Sequence, residues 1–178
     1  MGTPAAKRAG EVLKRLGTGS FIGAEIGVWR GDMSAVLLRH PDLILYMVDN
    51  WKPAEPYGVK LFTAERQLKS RRLALEQTEF AQARRRVLGL DSLDAASGIP
   101  DGALDFVFID ADHSYPAVKA DIAAWLPKLK PGGLLSGHDN ANPRYPYGDE
   151  IKRAVDEPDA ATGRALDLGL NMTWFVRP

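Results

Sequence analysis

Residues 105–115 read DFVFIDADHSY, a short apolar run that leads directly into a cluster of ionisable side chains. Residues 106–109 are all aromatic or β-branched, which is the composition of a buried strand. Asp110, Asp112 and His113 follow this run closely. Burying such a cluster without partners would cost several kcal/mol. We therefore expect the strand to lie in the core and the cluster to lie at its end, facing a ligand crevice.

The rest of the chain repeats this alternation of apolar strands and helical patterns. Strand patterns occupy residues 21–26, 43–48, 87–90, 106–109 and 134–136, helical patterns occupy residues 5–16, 33–39, 59–83, 118–129 and 151–155, and residues 165–168 and 172–176 resemble a closing hairpin. Apolar strands that alternate with helices form parallel sheets covered on both faces. The pattern therefore predicts an α/β, doubly wound fold.

Composition narrows the classes of partner. The 178 residues include 23 Lys plus Arg and 23 Asp plus Glu, so no net charge attracts nucleic acid or an anionic membrane. The absence of Cys excludes disulfides, thiolate zinc sites and a cysteine nucleophile. The N-terminal residues lack the apolar core of a secretory signal, so we expect a cytoplasmic protein that binds neither nucleic acid nor membrane.

Polar residues stand at the end of each predicted strand except those of the hairpin. The strand ends carry Glu25, with Gly27 after it, then Asp49, then Asp91 and Ser92, then Asp110, and finally Asp139 and Asn140. In doubly wound sheets, ligands bind beyond the carboxyl ends of the strands, near the point where strand order reverses. The sequence therefore predicts that these side chains share one crevice.

The turn after the first strand, residues 23–34, reads GAEIGVWRGDMS. Gly27 and Gly31 let backbone approach a ligand closely, but their spacing is G-x-x-x-G and not the G-x-G-x-x-G of dinucleotide sites. Glu25 would repel a phosphate and attract a cationic amino group. A dinucleotide is therefore disfavoured, and a ligand with an amino group is favoured.

Three further positions suggest a nucleoside. Asp49 is placed to accept hydrogen bonds from two ribose hydroxyls. Either Asp91 or Ser92 could hold an exocyclic amine of the base, and Trp51 could pack on the face of the base. A ligand with an amino group and a nucleoside but no phosphate is S-adenosylmethionine.

Six segments of the chain resemble motifs of the class I S-adenosylmethionine-dependent methyltransferases. They are AEIGVWRGDMS, YMVDNW, LGLDSLD, DFVFIDADHSY, LKPGGLLSGHDN and TWFV. The resemblance covers nearly the whole chain and implies a mostly parallel, seven-stranded Rossmann-like sheet with a C-terminal antiparallel hairpin, in a single domain of residues 1–178. It also implies that Ser34, Asn50 and Asp110 belong to the cofactor site.

Within that superfamily, IDADH and GHDN resemble the metal-dependent small-molecule O-methyltransferases. In those enzymes an acid at the end of the fourth strand and an Asp-Asn pair at the end of the fifth hold a divalent cation. The resemblance implies Asp110, Asp139 and Asn140 as ligands here, and three oxygen donors suit Mg²⁺. A bound cation would favour deprotonation of an acceptor hydroxyl. The expected partner is a small hydroxylated acceptor.

The resembled enzymes carry a lysine, their general base, three residues after the fourth-strand acid. His113 holds that position here, and histidine, with a pKa of about 6.5, accepts a proton at neutral pH without a large shift. We therefore predict His113 as the catalytic base. His138 is a second candidate base or ligand, although we favour a structural role in which its side chain points away from the crevice. DADHSY with GHDN also resembles a bacterial group that includes methyltransferases of macrolide sugar hydroxyls, so the acceptor stays open.

Other interpretations remain. A metal-independent methyltransferase would use Asp110 and His113 for acid–base chemistry alone. A non-catalytic module would only bind S-adenosylmethionine, although a sensor has no need of the HDN triplet. We expect acceptor walls in residues 51–58 and 141–149. We also hypothesise that a partner subunit, in a homodimer, covers the acceptor, and a monomer in light scattering at high concentration would contradict this.

Overall fold

The computed structural model describes residues 3–54, 62–143, 148–156 and 166–177. The strands in these ranges are β1 Phe21–Ile26, β2 Leu43–Val48, β3 Arg85–Leu88, β4 Leu104–Ile109, β5 Leu129–Gly137, β6 Leu166–Leu168 and β7 Trp174–Val176. The α-helices are α1 Pro4–Leu16, α2 Asp32–Leu37, α3 Ala64–Gln77, α4 Ser92–Ser97, α5 Tyr115–Trp125 and α6 Gly148–Asp156. The predicted acceptor walls at residues 51–58 and 141–149 lie partly outside the described residues.

The strands form one sheet in the order β3-β2-β1-β4-β5-β7-β6. β1 to β5 pair in parallel, and β7 runs antiparallel to both β5 and β6. This arrangement confirms the predicted α/β, Rossmann-like sheet with its antiparallel C-terminal strands. Strand order reverses between β1 and β4, where Ile26 is in register with Ile109. The backbone N–H of Asp110 donates to the Ile26 carbonyl at 2.7 Å, so the ends of β1 and β4 lie side by side.

Helix α1 covers one face of the sheet. Thr3 caps its first turn, because the Thr3 hydroxyl oxygen accepts a hydrogen bond from the Ala6 backbone N–H at 3.2 Å. Ala9 and Val12 are completely buried in the same core cluster as β2 and α2. These two residues therefore attach α1 to β2 and α2 through the apolar contacts of this cluster. No helix among the described residues is long and apolar enough to cross a membrane.

The strand predicted at residues 87–90 is displaced in the structure, where β3 covers Arg85–Leu88. Arg85 can enter a strand because its guanidinium donates to the Thr78 hydroxyl at 2.6 Å and to the Leu75 carbonyl at the end of α3. Because Arg85 is charged, the pattern of apolar residues did not indicate that the strand starts there. Leu90, expected in the strand, is an exposed residue beyond it.

Several other boundaries differ from prediction: α5 covers Tyr115–Trp125 where residues 118–129 were predicted, and β7 begins at Trp174 where residue 172 was predicted. Helix α3 is shorter than residues 59–83, because Thr63 caps its start and the Thr78 hydroxyl donates to the Ala74 carbonyl at its end. Strand β5 is longer than residues 134–136. Its register against β4 shifts after the pair Leu104 and Leu129, and this irregularity accommodates the Pro-Gly-Gly turn.

Candidate active site

Glu25, at the end of β1, is a buried acid whose side chain contacts Ser34. Its side chain is 3% exposed, and the Ser34 hydroxyl on α2 donates a hydrogen bond to it. Burial raises the pKa of Glu25 to about 8, and the hydrogen bond from Ser34 offsets part of that rise. The carboxyl therefore holds its proton at neutral pH until a cationic group pairs with it.

Gly27 and Gly31 both have positive φ, but each makes room for protein backbone. A Cβ on Gly27 would lie 2.0 Å from the Asp110 carbonyl oxygen. A Cβ on Gly31 would lie 2.8 Å from the Cα of Ala74 in α3. These glycines let the first turn pass over the end of β4 and let α3 pack on α2, while their contact with a ligand stays a prediction.

Asp49, after β2, links two loops through its carboxylate. One oxygen accepts from the Trp29 backbone N–H at 2.7 Å and the other from the Trp51 backbone N–H at 2.8 Å. Burial raises the pKa of Asp49, and these hydrogen bonds counteract the rise. Each carboxylate oxygen has more than one lone pair, so the group keeps acceptor capacity for ribose hydroxyls.

The two tryptophans at this point differ in exposure. Trp51 is 7% exposed, belongs to the core cluster, and donates its indole N–H to the Trp29 carbonyl at 2.8 Å. Trp29 is 45% exposed, with the Arg30 guanidinium 4.3 Å from its ring centroid. Trp51 was predicted to pack on the base, yet Trp29 offers the larger accessible aromatic surface. From the sequence, Trp29 was, like Trp51, a candidate to contact the sulfonium or the adenine of the cofactor.

The alternatives for holding a base amine, Asp91 and Ser92, lie in different surroundings. Asp91 is on the surface, where Asn50 donates to it at 2.5 Å and Lys52 at 2.6 Å, and these contacts lower the pKa of Asp91. Ser92 donates to Asp121 at 2.5 Å and accepts from the Trp125 indole at 2.9 Å. The Ser92 hydroxyl is therefore committed to α5, whereas the Asp91 side chain is accessible at the surface.

Asp121 is a buried acid that the sequence interpretation missed. It lies on α5 and is 5% exposed, and burial raises its pKa to about 6, partly offset by the hydrogen bond from Ser92. Its partner Ser92 is distant in sequence, and the surrounding helical pattern gave no signal of the contact.

Asp110, at the end of β4, has three basic neighbours. Its Oδ1 lies 3.3 Å from His113 Nε2 and 3.7 Å from His138 Nδ1, and its Oδ2 lies 3.9 Å from an Arg8 guanidinium nitrogen. Burial alone would raise the pKa of Asp110, but the two histidines hold it well below its usual range. Asp110 is therefore ionised at any physiological pH.

Asp139 closes the same cluster from the end of β5. One of its oxygens lies 3.0 Å from His138 Nδ1 and accepts from the Asn142 side chain at 2.6 Å, and the other lies 3.8 Å from His113 Nε2. Burial would raise the pKa of Asp139, but these neighbours lower it. Asp139 has a φ of +59°, a left-handed conformation that turns its side chain back toward His138.

The expectation that His138 points away from the crevice is wrong. Its Nδ1 faces both carboxylates, and its Nε2 lies 3.2 Å from the Asn171 side chain. Burial lowers the pKa of His138, but the two carboxylates outweigh that effect and raise it to about 9. The pKa of His113 is also raised, because its contact with Asp110 outweighs its burial. The cluster thus joins two imidazoles with two carboxylates.

The cluster fits a divalent cation. Asp110, His113 and Asp139 each offer a donor atom within 4.8 Å of the others. Asn140, the third predicted ligand, is 7% exposed, and its side-chain nitrogen has no hydrogen-bond partner among the described residues. Turning the amide over exchanges its nitrogen and oxygen, so this position also suits an oxygen donor for a cation.

Comparison with known proteins places the chain in a family. The profile of the family described as "Methyltransferase domain" matches residues 24–140, which is more than half of the chain. The chain therefore belongs to the methyltransferase-domain family. Its fold is that of the class I S-adenosylmethionine-dependent methyltransferases.

Solved structures share this fold at low sequence identity. An O-methyltransferase from Bacillus cereus, in complex with S-adenosylhomocysteine, is 19% identical with a TM-score of 0.64 and covers 100% of this chain and 82% of its own. The O-methyltransferase TomG from Streptomyces achromogenes, which acts in tomaymycin synthesis and was solved with S-adenosylmethionine, is 17% identical with a TM-score of 0.64 and covers 99% and 81%. A protein from Corynebacterium glutamicum is 19% identical with a TM-score of 0.65 and covers 97% and 77%.

A curated relative matches only in part. The uncharacterized protein y4gI of Sinorhizobium fredii is 33% identical over 63 residues, a stretch that spans 35% of this chain and 7% of that protein.

Proposed function

We propose that this chain transfers a methyl group from S-adenosylmethionine to a hydroxyl of a small molecule, assisted by a divalent cation such as Mg²⁺. The observation that carries the proposal is the hydrogen bond from Asp110 to Ile26 at the strand switch point. It brings a candidate cation cluster directly beside the turn that contains Glu25 and Gly27. A methyl donor and an ionised acceptor must meet at such a point.

The cofactor half of the proposal rests on three acids. Glu25 would pair with the ammonium of the methionine moiety, because burial leaves this carboxyl in need of a cation. Asp49 would accept hydrogen bonds from the ribose, and Asp91 would accept one from the base amine. The complexes of the Bacillus cereus enzyme and TomG with this cofactor or its product support S-adenosylmethionine as the ligand.

The acceptor half rests on the cluster around Asp110. Asp110 and Asp139 would hold the cation, with the Asn140 amide as a further oxygen donor. When bound, the cation would lower the pKa of the acceptor hydroxyl. His113 would take the hydroxyl proton, since its ring nitrogen lies beside both carboxylates. The acceptor oxygen would then bond to the methyl carbon, and the breaking S–C bond would leave its electron pair on sulfur, giving S-adenosylhomocysteine.

A metal-independent reaction is the second candidate, and one observation favours it. His113 and His138 face the two carboxylates, so the cluster can balance its charge without a cation. In that case His113, oriented by Asp110 at 3.3 Å, would act as general base alone. Turnover that survives EDTA would support this candidate and exclude the role of the cation.

Isothermal titration calorimetry tests the cofactor assignment. We expect S-adenosylhomocysteine to bind the protein with and without EDTA, and we expect no binding of NAD. Binding of NAD in place of S-adenosylhomocysteine would contradict the proposed function. A screen of hydroxylated compounds with isotopically labelled S-adenosylmethionine would then identify the acceptor.

A further inference from the structure

Arg8 extends from α1 to the end of β4. Its guanidinium nitrogen lies 3.9 Å from Asp110 Oδ2, and its side chain is 18% exposed. The helix that carries it is fixed by the buried residues Ala9 and Val12. The positive charge of Arg8 thus lies beside Asp110, which is a candidate residue of both the cofactor site and the metal site.

Arg8 has a hydrogen-bond donor without an acceptor among the described residues. Its Nε is buried and has no hydrogen-bond partner there. The separation of 3.9 Å from Asp110 is an ion-pair distance and too long for a hydrogen bond. Asp110 already has His113 and His138 as closer partners. A buried guanidinium with an unpaired N–H is costly unless an acceptor reaches it.

Arg8 also acts on Glu25. Its positive charge lowers the pKa of Glu25, against the larger rise that burial causes. Arg8 lies 3.9 Å from Asp110, whose backbone is hydrogen-bonded to Ile26, the residue that follows Glu25, so a basic and an acidic side chain stand near the same strand ends. This pair of opposite charges is suited to an α-amino acid, which carries an ammonium and a carboxylate on one carbon.

We propose that Arg8 binds the α-carboxylate of the cofactor's methionine moiety while Glu25 binds its ammonium, an inference that rests on the proposed function. The planar guanidinium matches a carboxylate with two parallel hydrogen bonds, which a lysine cannot reproduce. Arg8 would thereby select nucleosides that carry an intact amino acid over those that lack one.

Two nucleosides separate this role from a structural one. S-adenosylhomocysteine carries the amino acid, whereas 5′-methylthioadenosine has the same adenosine and sulfur without it. Their dissociation constants are measured by calorimetry for the wild type, for Arg8→Met and for Lys7→Met. Lys7 is an exposed neighbour on the same helix, so its variant removes the same charge at a control position.

We expect Arg8→Met to weaken S-adenosylhomocysteine about tenfold to a hundredfold and to leave 5′-methylthioadenosine within about twofold. Lys7→Met should change neither constant. Circular dichroism checks that each variant folds. If Arg8→Met does not fold, the same two dissociation constants are measured for Arg8→Gln. An unchanged affinity for S-adenosylhomocysteine, or an equal loss for both nucleosides, would overturn the inference and leave the proposed function standing. A wild type that binds neither nucleoside would overturn both.

Discussion

His138 Nδ1 lies 3.0 Å from Asp139 Oδ1, so the side chains of two adjacent residues of the GHDN motif are in contact. The left-handed conformation of Asp139, with a φ of +59°, makes this contact possible. Asp139 in turn lies near His113, which lies near Asp110. The contact therefore closes a cluster that joins the ends of β4 and β5.

Removing the charge of Asp139 should weaken cation binding and spare cofactor binding. Because Asp139→Asn keeps the size of the side chain and removes one anionic ligand, we expect affinity for Mg²⁺ or Mn²⁺ to fall at least about tenfold, with S-adenosylhomocysteine affinity within about threefold. Calorimetric titration of each ion into the S-adenosylhomocysteine complex measures the change.

The matched control for that variant is Asp101→Asn, at an exposed acid whose partner is Lys128. It should leave both affinities at their wild-type values. Equal cation affinity in Asp139→Asn and in the wild type would exclude Asp139 as a ligand.

Binding of S-adenosylhomocysteine should release a proton from Glu25 at pH 7. The pKa of Glu25 is raised to about 8, so the carboxyl is mostly protonated at that pH, and pairing with the ligand's ammonium would lower its pKa again. Calorimetry in buffers of different ionisation enthalpy counts the proton. The release should disappear above about pH 9, where the carboxyl is already ionised.

Glu25 also makes the stability of the free protein depend on pH. Between the unfolded value of 4.5 and the folded value of about 8, the folded state holds a proton that the unfolded state has released, so the contribution of Glu25 to stability falls as pH rises. Urea denaturation should show this fall in the wild type and a weaker one in Glu25→Gln. Identical pH profiles for the two proteins would show that Glu25 is not perturbed.

Asp91 and Ser92 should respond oppositely to substitution. Ser92→Ala leaves the buried Asp121 and the Trp125 indole without their partner, so we expect a loss of about 1–3 kcal/mol in unfolding free energy and little change in nucleoside affinity. Asp91→Ala should weaken adenosine-containing ligands and change stability little. Denaturant melts and calorimetry distinguish the two outcomes, and a reversed pattern would assign the base amine to Ser92.

Gly27 should tolerate no side chain, whereas Gly102 should tolerate one. Both have positive φ, +91° and +67°, but a Cβ on Gly27 would lie 2.0 Å from the Asp110 carbonyl oxygen and a Cβ on Gly102 meets nothing within 4 Å. Gly102→Ala should therefore cost about 1–2 kcal/mol from backbone strain alone. Gly27→Ala should cost clearly more, and equal melting temperatures for the two variants would contradict the close approach of β1 and β4.

The sequence predicted the parts of the fold that local patterns specify. Apolar runs located β1, β2 and β4, and the polar residues after them follow the carboxyl ends of parallel strands. It misplaced β3, because Arg85 enters that strand only with the carbonyl and hydroxyl acceptors that the end of α3 supplies. A strand boundary that depends on contacts with residues distant in sequence cannot be predicted from a local pattern.

The site was predictable to the same extent. Asp110 and Asp139 were expected to meet because the carboxyl ends of parallel strands lie at one edge of the sheet and because the family resemblance implies both as cation ligands. His113 was expected beside Asp110 because it holds the position of the lysine in the resembled enzymes. The direction of His138 depends on its contacts with Asp139 and Asn171, and the reach of Arg8 depends on how α1 packs. Both are properties of the assembled fold.

A crystal structure with S-adenosylhomocysteine and Mg²⁺ tests the central claim most directly, that the strand ends of β1, β2 and β4 share one cofactor crevice. We predict density for the nucleoside with its ribose at Asp49 and its amino acid at Glu25, and density for the ion between Asp110 and Asp139. A nucleoside bound away from Glu25 and Asp49, or an ion on another surface, would contradict the account.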